Sequence, residues 1–128
     1  MTTTITLTDT GEAMLAYLLK GDTSTKGYVT HMAVGTGAAG GETATALTTE
    51  LSRKALTSAT VSTGAGANAN KVVFVADWST SEGNDTLTEV GLFTAASSGN
   101  MFAIASISPG IGKTSDYNLQ LSWTVPFE

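Results

Sequence analysis

Four charged residues, Glu50, Arg53, Glu89 and Lys113, stand out from the rest by their neighbours. Glu50 and Arg53 lie in Leu47-Thr-Thr-Glu-Leu-Ser-Arg53, with Leu47 and Leu51 as apolar neighbours. In a chain that is only 13% charged, an acid three places before a guanidinium is a natural buried or interfacial ion pair, with a solvated surface pair as the alternative. Glu89 lies in Asp85-Thr-Leu-Thr-Glu-Val-Gly-Leu-Phe-Thr-Ala95. As a strand, this stretch sets Leu87, Glu89, Gly91 and Phe93 on one face and Thr86, Thr88, Val90, Leu92 and Thr94 on the other. A carboxylate among large apolar groups is costly unless paired or hydrogen-bonded, and a strand glycine marks a bulge or a close backbone approach. Glu89 and Gly91 are therefore expected to tie another part of the chain, or a neighbouring chain, to a central strand. Lys113, on the approach to the last strand, is the expected partner of Glu89.

The remaining chemistry is sparse. Gly35-Thr-Gly37-Ala-Ala-Gly40 has the spacing of a dinucleotide fingerprint, which requires a helix opening at the glycines and an acid at the end of a second strand about 20 residues on. Gly41 follows instead, and residues 57–60 are Thr, Ser, Ala and Thr, so the stretch is read as a surface loop. Gly112-Lys113-Thr114 ends like a phosphate-binding loop, but Ile107 occupies the place of the first glycine and a strand pattern follows where a helix is needed. His31 is read as a surface or satisfied residue. A glycosidase-like carboxylate pair would have to come from Glu50 and Glu89, which are better used as structural partners. No cofactor and no catalytic set is expected.

Composition narrows the classes further. With no cysteine, disulfides and thiolate metal sites are excluded and a structural metal is not expected. A net charge of −5 with only six Lys and Arg, scattered apart from Arg53-Lys54, argues against nucleic acid as a partner. No apolar run reaches the length of a membrane span and Met1-Thr-Thr-Thr-Ile-Thr6 has no secretory pattern, so synthesis and residence in a cytoplasm are expected, with no membrane partner. The 128 residues suit one domain, 1–128, and abundant Thr, Ala, Gly and Ser suggest a β-rich protein that packs against copies of itself or partners.

These residues need a scaffold, and the chain supplies its pattern in order. Thr2 to Leu7 alternates as a strand or arm. Asp9 with Glu12 is a capping box for a helix that ends at Gly21, and its broad apolar surface predicts cover over most of it, by its own sheet or by a neighbouring subunit. Tyr28 to Val34 is a predicted strand with Tyr28, Met32 and Val34 inward. Residues 47–54 read as a helical turn and Ala55 to Val61 as a strand, joined through a Gly64–Asn70 tip to Lys71–Ser79, whose two faces both look buried. The Asp85–Ala95 strand follows, then a turn at Ala96–Asn100 and a strand from Met101, in an antiparallel meander. Tyr117, Leu119, Leu121, Trp123 and Val125 alternate in the last strand, closed by Pro126.

Met32-Ala-Val-Gly-Thr-Gly37, Leu47 to Arg53, Leu87-Thr-Glu-Val-Gly-Leu-Phe93 and Ile111-Gly-Lys-Thr114, after Thr10-Gly11 and a helix, resemble over nearly the whole chain the N-terminal domain of tailed-phage tail-collar fibre proteins. In that family the domain fastens a trimeric fibre to the baseplate. The resemblance implies a non-enzymatic virion component made in the host cytoplasm, a homotrimer, with baseplate, fibre or capsid subunits as partners. Because those fibre proteins continue into a shaft and tip and this chain stops at Glu128, the expectation is the attachment module alone, a tail or baseplate adaptor; the alternative is a capsid decoration protein. The expected fold is an antiparallel β-sandwich or sheet of about six to seven strands with one N-terminal helix. Its predicted core is Met14, Leu18, Met32, Val34, Val73, Phe74, Val75, Val90, Leu92, Ile104, Leu119, Leu121 and Trp123.

Overall fold

Runs of β-branched and aromatic residues broken by Gly, Asn and Ser lead to short strands joined by tight turns. The computed structural model describes residues 2–67 and 69–127. Its elements are β1 (Thr2–Leu7), α1 (Asp9–Leu19), β2 (His31–Gly35), β3 (Glu50–Ala55), β4 (Ser58–Ser62), β5 (Asn70–Trp78), β6 (Thr86–Phe93), β7 (Met101–Gly112) and β8 (Leu119–Phe127). Every pairing is antiparallel. A five-stranded sheet, ordered β1-β7-β6-β2-β3, faces a three-stranded sheet, ordered β4-β5-β8. This is the expected mainly-β arrangement with one helix near the N-terminus.

The strand absent from the sequence reading is β3. Residues 50–55 do not form a helical turn; they pair with β2 from Ala55 opposite His31 to Glu50 opposite Gly35. A single turn has too few hydrogen bonds to stand alone, and an open sheet edge offers the same backbone a full ladder. Of the expected meander, the β6–β7 hairpin through the turn at 96–100 is present and the β5–β6 pairing is not. β5 belongs to the small sheet and β6 to the large one, so the turn between them carries the chain from one layer to the other. Asn68, within the expected Gly64–Asn70 tip between β4 and β5, lies outside the described residues.

The helix begins one residue earlier than the capping box suggested. Thr8, fully buried, is the N-cap: its Oγ1 accepts from the Gly11 amide at 2.9 Å and donates to the Met101 carbonyl at 2.6 Å. One hydroxyl thus caps α1 and fastens it to β7. A Cβ on Gly11 would stand 1.9 Å from the Phe102 carbonyl oxygen, so only glycine lets the helix lie this close to β7. At the other end Gly21, at φ 93°, closes the helix through bonds from its own amide to Leu18 O (3.0 Å) and from the Asp22 amide to Tyr17 O (2.9 Å). Cover over most of α1 is not found within the chain: Met14 is fully buried, but Leu19 is 92% exposed. The helix meets the sheet along the line of Gly11 and Met14, with Leu15, Tyr17 and Leu18 half-buried beside it.

Between the layers, Met14, Met32, Val34, Phe74, Trp78, Leu92 and Trp123 form the main core. Each large side chain removed from water contributes about 1.5–3 kcal/mol before conformational entropy is counted. Val73, Val75, Leu18, Leu119 and Leu121 are only half-buried. The small sheet has one wet face, so β5 shows one buried line of Phe74, Ala76 and Trp78 rather than two. Tyr28 lies before β2 and is exposed. A second, smaller core of Ala33, Leu47, Phe93, Met101 and Ile104 covers the outer face of the large sheet. Leu87 joins the main core with Val90 and Leu92, not the face of Glu89 and Phe93, and a register irregularity between Leu87 and Glu89 accompanies this change of side.

Candidate functional site

β6 lies in the middle of the large sheet, between β7 and β2, and Glu89 stands opposite Gly35 in the register. Its carboxylate is fully buried and meets backbone rather than a cation. Oε1 accepts from the Thr48 amide at 2.8 Å; Oε2 accepts from the Thr49 amide at 2.7 Å and the Gly37 amide at 3.0 Å. All three donors belong to the connection from β2 to β3. Neighbouring threonines tighten the same connection, Thr88 Oγ1 donating to Gly37 O and Thr48 Oγ1 to Ala38 O, both at 2.6 Å. The Asp9 amide bonds Glu42 O at 2.8 Å, and Leu47 is buried in the outer core. Glu89 therefore ties another part of its own chain to the sheet.

The glycines follow from this arrangement. A Cβ on Gly35 would meet Thr49 O at 2.4 Å and Glu89 Oε2 at 2.6 Å; on Gly37 it would meet Thr48 Cβ at 2.8 Å and Glu89 Oε2 at 2.9 Å. Gly91 leaves the space that Phe93 and Leu47 fill, since its Cβ would come within 3.0 and 3.2 Å of them. The connection that opens with Gly-x-Gly does cradle an anion with amides, one from Gly37 and two from Thr48 and Thr49, and the anion is the chain's own carboxylate. Bonds to a charged acceptor contribute about 1.5–3 kcal/mol each, against a desolvation cost of several kcal/mol for the ion. The net gain is modest, but removing either side leaves buried groups unmatched.

Glu50 and Arg53 pair within the chain. Arg53 Nε and Nη2 donate to the two oxygens of Glu50 at 3.0 and 2.6 Å, while Nη1 donates to Ala95 O at 3.0 Å and Ser98 O at 2.9 Å. The guanidinium lies 3.7 Å over the Phe93 ring, and the Arg53 side chain is 7% exposed. Arg53 thus holds the turn between β6 and β7 against β3, using its fork and its flat face at once.

Glu89 and Lys113 are not brought together. The Lys113 ammonium is buried and donates to Asn84 Oδ1 at 2.7 Å and Thr114 O at 3.2 Å, and the Lys113 amide bonds Asp85 O at 2.9 Å. It fastens the start of β6 to the end of β7, whereas the Glu89 oxygens are taken up by three amides from the loop. Sequence reasoning found Glu89 but not its partners, because backbone amides leave no mark in side-chain identity; the glycine spacing was the usable trace.

Elsewhere, the Lys54 ammonium, at 2.6 Å, and then Ser79 hold the Glu82 carboxyl down from 4.5 to about 2. The Thr25 hydroxyl and amide, with Ser24, hold Asp22 down to about 2, and the Thr57 hydroxyl followed by Gln120 lowers Asp77. His31 Nδ1 lies 2.8 Å from the Thr30 hydroxyl. Among the described residues no three His, Asp or Glu side chains are grouped to hold a metal ion. What the surface offers instead is apolar: Leu19, Val61, Tyr28, Ile5 and Phe127 are all at least 46% exposed.

No curated protein matches this chain. The family described as Podophage GP4 fiber I protein gp80 matches residues 6–116, a span that holds the Glu89, Arg53 and Lys113 fastenings, and the chain belongs to that family of phage fibre proteins.

Proposed function

We propose that this fibre-family protein is a non-enzymatic attachment module of a tailed-phage virion, an adaptor at the tail or baseplate that works as a homotrimer through protein–protein contacts, as the likeness to tail-collar N-terminal domains implies. The observation that carries the reading is the use made of Glu89. The carboxylate best placed for chemistry is enclosed by three loop amides and spent on fixing a glycine-rich connection to the sheet. A scaffold whose long loop is fastened in this way presents a fixed surface to a neighbour and loses little entropy on docking. Exposed Tyr28, Val61, Leu19 and Phe127 are the kind of apolar surface that assembly covers.

The family match favours a fibre role over a head decoration role. Copy number in purified virions tests this directly. A tail or fibre component is expected in a few to a few dozen copies, and hundreds of copies per particle would favour the capsid instead. Sedimentation of the purified chain tests the trimer. A hydrolase activity abolished by Glu89→Gln would overturn the non-enzymatic reading.

A further inference from the structure

Five strands face three across the sandwich, and α1 occupies part of the uncovered place over β7. The rest stays open along β8. A cavity of about 230 Å³ lies between Ile5, Met32 and Ala105 of the large sheet and residues 121–124 of β8. A second, of about 360 Å³, shares Ile5 and continues between Leu7 and Ala103 on one side and Val125 to Phe127 on the other, ending at Leu15 of α1. None of the residues around either cavity is charged.

β8 is an edge strand, and along Leu119–Phe127 its outer side makes no backbone hydrogen bond among the described residues. Edge strands are usually blunted by charge, proline or shortness. This one is nine residues long and uncharged, with a proline only near its end. Trp123 borders the first cavity, and its buried indole N–H finds no acceptor among the described residues. Buried donors are nearly always matched, so an orphan beside a groove and a free ladder points to a missing neighbour.

We propose that this flank accepts one extended strand from another virion protein, paired with β8 as the fourth strand of the small sheet and filling the groove with its apolar side chains; the proposal rests on the protein-contact reading above. A free ladder edge selects a strand, whose width of about 4.8 Å suits a layer lacking one member. A second copy fits less well. The apolar side chains of its β8, Leu119, Leu121, Trp123 and Val125, already pack on its own core and cannot also fill this groove. The incoming segment is about seven residues long, uncharged, apolar at alternate positions, and carries an oxygen that takes the Trp123 N–H.

Peptides tiling the other structural proteins of the same virion, titrated onto the full chain while amide hydrogen exchange is followed by NMR, test the proposal. One peptide is expected to protect the outward amides of β8. Trp123→Phe, which keeps the ring bulk and removes the donor, weakens that peptide about fivefold to tenfold. Ile5→Asp places a charge in the groove at a residue already 51% exposed, and abolishes binding while leaving thermal stability nearly unchanged. The proposal is overturned if no peptide protects β8, if binding survives Ile5→Asp, or if the chain alone forms a dimer with β8 already protected, which makes a second copy the occupant. Copy number is measured separately, so failure here leaves the assembly reading standing.

Discussion

Glu89 and Gly37 are 52 positions apart in the chain, and the carboxylate of one accepts the amide of the other at 3.0 Å. The contact joins a central strand to a glycine-rich connection that has no regular structure of its own. It explains both the buried acid and the adjacent glycines.

Glu89→Gln keeps the shape but turns one acceptor into a donor facing amide hydrogens. Loss of about 2–3 kcal/mol is expected from the unmatched groups, read as a lower midpoint in urea. Hydrogen exchange should rise at Thr48, Thr49 and Gly37 ahead of the rest of the chain. Unchanged protection at those amides would count against the clamp.

Alanine at the glycines provides a graded comparison. Gly35→Ala sets a methyl against Thr49 O and Glu89 Oε2, whereas nothing lies within 4 Å of a Cβ on Gly41 in the same loop. Gly35→Ala should cost about 1–3 kcal/mol by overpacking and Gly41→Ala about 0.5 kcal/mol or less, both measured by chemical denaturation.

Arg53→Lys loses the two-pronged contact to Glu50, the reach to Ala95 O and Ser98 O, and the stack on Phe93. A cost of about 1–2 kcal/mol is expected. Glu50→Gln should cost less, near 0.5 kcal/mol, because the Glu50 side chain is 33% exposed and its attraction is screened. Equal costs would show that Arg53 acts through the ion pair alone.

Reversing the charges at Glu89 and Lys113 separates shared from independent roles. Each residue has its own partners, three loop amides for one and Asn84 with Thr114 for the other. The double variant Glu89→Lys, Lys113→Glu should therefore lose about the sum of the single losses, without rescue. Recovery of stability in the double variant would restore the pairing that the sequence suggested.

Acid should weaken the fold in a defined window. Glu82 is lowered from 4.5 to about 2, chiefly by Lys54 and then Ser79, and Asp22 to about 2 by Thr25 and Ser24. A folded value below the unfolded one means stability that is fully present above the unfolded pKa and lost as pH falls through the folded value. Tm should decline from about pH 4.5 toward about 2, and Glu82→Gln should make the decline shallower. Lys54 is the only charged group in this set, so salt should weaken the hold on Glu82 and leave that on Asp22, made by neutral donors, nearly unchanged. A slope identical in wild type and Glu82→Gln would remove Glu82 from the account.

The alternation of Leu119, Leu121 and Trp123, the Val-rich run at 71–75 and the Gly21 stop were enough, from residue order alone, to announce a β-rich fold with one early helix, and the misfit of Glu89 on an apolar face marked the residue that matters most. Those signals are local, set by side-chain period and backbone propensity over a few neighbours. Only the tertiary structure could decide that residues 50–55 join β2 as a strand, that β5 and β6 part into different layers, and that Glu89 bonds amides of the loop while Lys113 turns to Asn84. Each of these depends on which sheet edge or backbone donor stands nearby in space, and every residue carries the same amide, so the choice is made by long-range packing and leaves no letter of its own in the sequence.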